Sequence, residues 1–260
     1  MKLGPAAQAE GYRLESFATL GSTNDEAMAR ARAGDPGRLW ITAQAQEQGR
    51  GRSGRRWVSP KGNLYASLLL RSPCGTSVAP QLGFVAAVAL HRALSGVTGL
   101  PPGRLALKWP NDLLLDRAKL AGVLVEGSLL GDELAVVIGI GVNAAHHPAE
   151  TPYPATDLGA AGLPVGVAPL FASLSDSLAL TFKRWAGGEA FGAIRRDWLD
   201  RAGGLGEMIT VRRPEGDRRG VFVDLDPGGR LLLDEGGRRV AIEAGDVFLA
   251  GLNDNPRIGA

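Results

Sequence analysis

Cysteine is almost absent. Cys74 stands alone in 260 residues, so no intramolecular disulfide can form and a reducing cytoplasm is the expected compartment. Its setting, Ser72-Pro73-Cys74-Gly75, reads as a turn and gives the thiol a structural or incidental role. Histidine is nearly as scarce: only His91, His146 and His147 occur, and without spaced partners no tight zinc site is expected. Lysine is confined to Lys2, Lys61, Lys108, Lys119 and Lys183. No apolar run reaches the length of a membrane span, and Met1 to Gly11 lacks the apolar core of a signal peptide. Neither sign of charge dominates. Lys+Arg 29 against Asp+Glu 27 leaves a formal +2, which excludes a polyelectrolyte role for the whole chain and makes any basic site local.

What is abundant is arginine, and it is concentrated. Gln46-Glu47-Gln48-Gly49-Arg50-Gly51-Arg52-Ser53-Gly54-Arg55-Arg56-Trp57 holds four arginines within seven residues, interrupted by glycine and closed by an indole. Guanidinium forks match phosphate or carboxylate oxygens two at a time, and glycine lets backbone N–H groups approach an anion. No Walker A pattern and no Gly-x-Gly-x-x-Gly spacing is present. By itself such a run is as readily a solvated face or an RNA contact. Its flanks favour a small-anion site, because Leu39 to Ala43 and Asn63 to Leu70 both read as buried strands, and a loop between core strands is pinned. The glycines and like charges predict that the loop is mobile when empty.

Met1 to Gly11 reads as a short tail and Tyr12 to Phe17 as an edge strand. Thr23 and Glu26 have capping-box spacing, so a helix is expected there. Gln81 to Leu94 predicts a buried helix ending near Gly96. Leu105 to Lys108, Asp112 to Leu115, Lys119 to Glu126 and Leu134 to Ile140 follow as a meander of strands. Residues 144–169 read as an ordered surface connection, and Ala168 to Trp185 and Ala190 to Arg201 as helices. Gly203-Gly204-Leu205-Gly206 is the best boundary, giving a unit over 1–203 and a small β-barrel over 204–260, with strands at Met208 to Arg213, Gly220 to Leu225, Arg230 to Leu233 and Arg238 to Ile242. The expected class is α+β: a mixed sheet with flanking helices plus the small barrel.

Three further motifs carry chemistry. Lys108-Trp109-Pro110-Asn111-Asp112 sets an ammonium, an indole, a rigid turn and a carboxylate at a strand end; Lys108 is placed to meet phosphate and Asp112 to hold Mg²⁺, directly or through water. Lys119 opens an apolar strand in which Gly122 leaves room against the backbone. Gly139-Ile140-Gly141-Val142-Asn143 fits a bulge or a close ligand approach. Taken singly, each of these is as well explained by local structure. Together they suggest a nucleotide held over a sheet.

These stretches, with Ser22-Thr23-Asn24 and Gly62-Asn63-Leu64-Tyr65, resemble the biotin protein ligases in order and residue type over about half of the chain, and Gly245 to Leu249 resembles the end of that family's small C-terminal domain. The resemblance implies an ATP-dependent activation of biotin as biotinyl-5′-adenylate, with Mg²⁺, and its transfer to a lysine of a biotin carrier domain. It further implies that Ser22, Thr23, Asn24 and Gln46 serve the ureido head, that Arg50, Gly51, Arg52 and Lys119 surround the carboxylate and α-phosphate, and that Gly122 and Val123 floor the valeryl chain. Arg52, Arg55, Trp57, Lys108, Asn111, Asp112 and Asn143 would then serve adenylate, phosphates and metal, with Arg52, Lys108 and Lys119 catalytic. About a dozen residues precede the matched pattern, so no specific DNA binding is expected; no membrane contact is expected either, and exposed strand edges would permit a homodimer. A lipoate or octanoate ligase and an RNA-binding module remain as alternatives, the first disfavoured by the arginine loop and the Lys-Trp-Pro-Asn-Asp motif.

Overall fold

A computed structural model describes residues 1–249. The fold is α+β. Strands β1 (Arg13–Leu20), β2 (Leu39–Gln46), β3 (Leu64–Arg71), β4 (Leu105–Lys108), β5 (Asp112–Leu115), β6 (Ala118–Leu130) and β7 (Glu133–Val142) form one sheet in the order β1-β2-β3-β7-β6-β5-β4. β1 runs parallel to β2 at the edge, and the other pairs are antiparallel. The expected meander and edge strand are both present.

Side-chain alternation sorts the two faces of this sheet. Leu64, Ala66, Leu68 and Leu70 of β3 and Val136, Ile138, Ile140 and Val142 of β7 join the main core with α3 (Leu82–Thr98) and α4 (Val167–Trp185). Leu69, Ala135 and Val137 point the other way, onto Ala27, Met28 and Ala31 of α2 (Thr23–Arg32). Gly139 and Gly141 continue that second face along β7, and the register sets Gly122 of β6 opposite Gly141. Two neighbouring strands thus lose their side chains at the same place, and Asn24 and Trp57 lie over the bare backbone at the floor of a hollow beside α2.

Several local expectations change. Met1 to Gly11 is not a tail: α1 (Pro5–Ala9) docks on α4, with Gly4 N–H donating to Ser175 Oγ at 2.9 Å, Ala7 N–H donating to Asp176 Oδ1 at 2.9 Å, and Ala7 fully buried. Tertiary burial of one alanine outweighs the weak local pattern. The cap of α2 is Ser22, not Thr23; Ser22 is extended at φ −153° and accepts from Asp25 N–H at 3.4 Å, which frees Thr23 for the site. Helix α3 runs through Gly96 and stops at Gly99, whose φ of +61° supplies the left-handed turn.

Beyond α5 (Phe191–Leu199), strands β8 (Met208–Arg212), β9 (Arg218–Leu225), β10 (Leu231–Asp234), β11 (Arg239–Ile242) and β12 (Asp246–Leu249) make a second, antiparallel sheet in the order β11-β10-β9-β8-β12. The pattern reading found the first four of these strands and not β12. Residues 250–260 of the expected small unit lie outside the described residues. The second sheet is fixed to the first by aromatic and polar contacts: Phe84 meets Trp198 edge-on at 5.7 Å, Trp198 meets Phe222 at 6.4 Å, and Trp109 Nε1–H donates to Gly229 O at 3.1 Å. Gly229 holds φ +89°, and a Cβ there would stand 2.6 Å from the Phe84 ring. Gly229→Ala is therefore expected to cost about 1–3 kcal/mol through overpacking and backbone strain. A chemical-denaturation midpoint equal to the parent's would refute this.

Candidate active site

The hollow is a cavity whose lining divides by chemistry. One end is uncharged and polar, with Ser22, Thr23, Asn24, Gln46 and Tyr65, and Arg50 stands beside it; the other carries five cationic side chains, Arg52, Arg55, Arg56, Lys108 and Lys119, against the carboxylates of Asp112 and Asp246. Between them lie Gly122, Gly139 and Gly141. Such a cavity suits a ligand with a neutral hydrogen-bonding head and anions at its far end.

The polar end is a connected network. Thr23 donates through its backbone N–H (2.8 Å) and Oγ1 (3.0 Å) to Gln46 Oε1, and Gln46 Nε2 donates to Ser59 Oγ at 3.0 Å. Ser67 Oγ lies 2.8 Å from Thr23 Oγ1 and 2.6 Å from Asn24 Oδ1, and with one proton it donates to one of them at a time. Asn24 Nδ2 donates to Glu126 Oε2 at 2.6 Å. The Asn24 side chain lies across Gly139, where any Cβ would stand 2.3 Å from its Oδ1. Burial pushes the Tyr65 phenol up to about 12, so it stays a donor, to Pro60 O at 2.8 Å.

The arginine loop is pinned at both ends by carboxylates. Arg50 forks onto Asp25 at 2.5 and 2.6 Å and reaches Glu126 at 3.2 Å; hydrogen bonding to Asp25 raises its already high pKa despite partial burial. Arg55 forks onto Asp246 of β12 at 2.9 and 2.8 Å. Arg52 is different: burial lowers its pKa, and among the described residues its hydrogen-bond partner is Asn111 Oδ1, at a long 3.4 Å. Gly51 N–H closes the loop onto Arg55 O at 2.7 Å. Trp57 lays its ring against Gly122 and Gly141; a Cβ on Gly141 would stand 2.7 Å from it.

At the cationic end, Asp112 is buried between two ammoniums, Lys119 Nζ at 2.6 Å from Oδ1 and Lys108 Nζ at 3.0 Å from Oδ2. Lys108 also donates to Val247 O at 3.2 Å. Burial pushes the Asp112 carboxyl up, and the two lysines more than reverse this, leaving it below the ordinary carboxylate value. Burial likewise lowers Lys119, and Asp112 with Tyr153 overcomes it, so the ammonium is favoured.

Both oxygens of Asp112, the residue expected to hold Mg²⁺, face ammonium groups. A divalent cation there would stand beside both lysines or displace one, with water and phosphate oxygens as its other ligands. Asn143 is not part of the cavity lining. It is buried away from the cavity, its Nδ2 donating to Thr156 O at 3.1 Å, and so anchors the following connection. The other residues named from the sequence all line the cavity. Pattern reading missed Asp25, Ser67, Glu126, Tyr153 and Asp246. Glu126 shares a strand face with Gly122 at period two and was legible; Asp246 and Tyr153 carried no local signal.

Comparison with known proteins bears on this geometry. Residues 21–143 match the Biotin/lipoate A/B protein ligase family, and residues 204–250 match the Biotin protein ligase C terminal domain. A biotin–[acetyl-CoA-carboxylase] ligase of Paracoccus denitrificans is 42% identical over 90% of this chain and 100% of its own length. The chain belongs to the biotin protein ligase family. The ligase of the same name from Mycobacterium tuberculosis is 34% identical, covering 91% of this chain and 89% of its own length. Among solved structures, the biotin protein ligase of Aquifex aeolicus in complex with biotin and ATP superposes with a TM-score of 0.75 at 27% identity, over 91% of this ligase and 98% of that chain. No helix of the described residues is long and apolar enough to cross a membrane.

Proposed function

We infer that the chain activates biotin with ATP as biotinyl-5′-adenylate and transfers the biotinyl group to a lysine of a carrier domain, such as that of acetyl-CoA carboxylase. The observation that carries this reading is the division of one cavity into a neutral polar end and a cationic end over a glycine floor. Thr23, Asn24 and Gln46 present donors and acceptors of the kind a buried ureido ring needs, and mismatched analogues would leave these groups unpaired. The acyl chain would run between the two ends along Trp57, whose ring covers Gly122 and Gly141.

In the first step the biotin carboxylate oxygen attacks the α-phosphorus as the bond to pyrophosphate breaks. Two anions must meet, and Arg52, Lys108 and Lys119 offset their repulsion in a poorly hydrated place. In the second step the neutral carrier amine attacks the acyl carbon, AMP leaves with the shared oxygen, and the amine gives up its proton. No enzyme nucleophile is required, and positioning supplies the rate. Arg50 orders the loop over the head group, and Arg55 ties the loop to β12. On this reading Mg²⁺ would be held near Asp112 through water and by phosphate oxygens, and would offset charge on the phosphates. It treats residues 1–203 as the catalytic unit and 204–260 as a small unit that completes the site through Asp246 and Val247.

ATP–pyrophosphate exchange tests the reading, with biotin, lipoate, octanoate or no acid supplied. Exchange with biotin alone is expected; exchange with lipoate or octanoate instead would move the assignment to the sister activities, and none with any acid would overturn it. The RNA-binding alternative is disfavoured because the Arg50 and Arg55 forks are already committed to carboxylates. The single cysteine supports a cytoplasmic setting. A homodimer and the lack of sequence-specific DNA binding belong to the same reading. For the dimer, β5 pairs with β6 only as far as Gly122, which leaves the outer edge of the strand beyond it open to sheet extension.

A further inference from the structure

The connection between β7 and α4 brings Tyr153 to the two lysines of the cavity, and the reading above gives it no task. Its ring centroid lies 5.0 Å from Lys108 Nζ and 5.2 Å from Lys119 Nζ, and its hydroxyl lies 3.4 Å from Lys119 Nζ. Trp57 presents a second ring to Lys119 at 5.4 Å. The residues that follow Tyr153 are held in place: Lys119 N–H donates to Pro154 O at 2.8 Å, Thr156 N–H donates to Lys119 O at 3.0 Å, and Asn143 Nδ2 donates to Thr156 O. The buried Asn143 thereby holds the segment three residues beyond the tyrosine. Tyr153 and both lysines also line a second, smaller cavity, with Leu114, Pro154, Val247 and Leu249.

Two ammoniums gathered on one buried carboxylate leave a net positive charge in a place with little water. Another carboxylate would relieve their repulsion but cancel the charge that an incoming phosphate needs. An aromatic face attracts cations through its quadrupole and adds no formal charge. We propose that Tyr153 is a positioning residue for adenylation: its ring face holds the Lys108 and Lys119 ammoniums at Asp112 and leaves their positive charge for the α-phosphate. The ring carries this role and the hydroxyl does not. The proposal rests on the adenylating reading and extends it to a residue of the surface connection.

The test compares Tyr153→Leu, Tyr153→Met and Tyr153→Phe in the full chain, by exchange kinetics with biotin varied at saturating ATP and by calorimetric titration of ATP without biotin. The two ring-less variants are expected to lose about tenfold in kcat and several-fold in ATP affinity, with KM for biotin unchanged, while Tyr153→Phe restores most of both. Ring-less variants as active as the parent would overturn the proposal, and so would a Tyr153→Phe variant as impaired as Tyr153→Leu. Melting curves identify any variant that fails to fold, and leucine and methionine give two independent ring deletions. A parent chain without biotin-dependent exchange would sink the functional reading instead; the ATP titrations would still decide whether the ring holds the lysine pair.

Discussion

Replacing Asp112 by alanine lowers the unfolding free energy by about 3–5 kcal/mol, the cost of breaking a buried ion pair from one side. The carboxylate lies at the meeting point of Lys108 and Lys119, both largely withdrawn from water, and its loss leaves two like charges facing each other. Urea titration would show a lower midpoint at an unchanged slope. A triple variant, Asp112→Leu with both lysines changed to methionine, should recover much of the stability while abolishing adenylation, which separates the structural cost from the chemical one. Stability of Asp112→Ala equal to the parent's would mean that the cluster is solvated. The pH dependence has a definite sign. Because the Asp112 carboxyl is held below its ordinary value of about 3.9, its contribution is fully present above that value and is lost as pH falls through the folded value. Lys119, held above its ordinary value of about 10.4, contributes below that value and loses its contribution as pH rises through the folded one. The cluster therefore stabilises the protein across the neutral range.

Arg52→Ala is expected to release the reactive adenylate. Of the loop arginines, Arg50 and Arg55 spend their forks on Asp25 and Asp246, whereas Arg52 makes one long contact to Asn111 and so keeps its donors for a phosphate. Losing a charge-assisted hydrogen-bonding partner of that kind costs about 1.5–3 kcal/mol, roughly 10- to 150-fold in retention. Escaped biotinyl-5′-adenylate acylates any exposed amine, so biotin should appear on lysines of an added bystander protein such as serum albumin, detected by streptavidin blot. Bystander labelling no greater than with the parent enzyme would remove Arg52 from this role. Arg50→Ala should behave differently, loosening the loop and weakening biotin capture, because its partners are protein carboxylates.

The folding elements were legible where one period ran uninterrupted. β3 and β7 alternate strongly, and α4 keeps a helical stripe, so their existence and type followed from pattern alone. The errors lie where a single contact decides. Ala7 makes α1 part of the core, Asp25 N–H selects Ser22 over Thr23 as the cap, and α3 passes Gly96 because only Gly99 takes the left-handed turn. The first depends on a helix far away in the chain, and the other two on which of two nearby residues takes the cap.

The sequence by itself determined the chemistry of the site: which side chains could meet anions, which glycines could leave backbone bare, and which family assembles them in this order. A local motif states residue type and spacing, and these suffice to place Lys108, Asp112 and Gly122 on strands. Only the tertiary structure decided the partners. Asp112 proves to be clamped by two lysines, Asn143 to anchor the following connection, and Asp246 and Tyr153 to be members of the site, because side-chain pairing depends on distances that, for Arg55 with Asp246 and Lys108 with Tyr153, are set by segments far apart in the chain. Burial then fixes the outcome: in the low-dielectric interior, whichever charge stands nearest sets what a carboxylate or an ammonium can do.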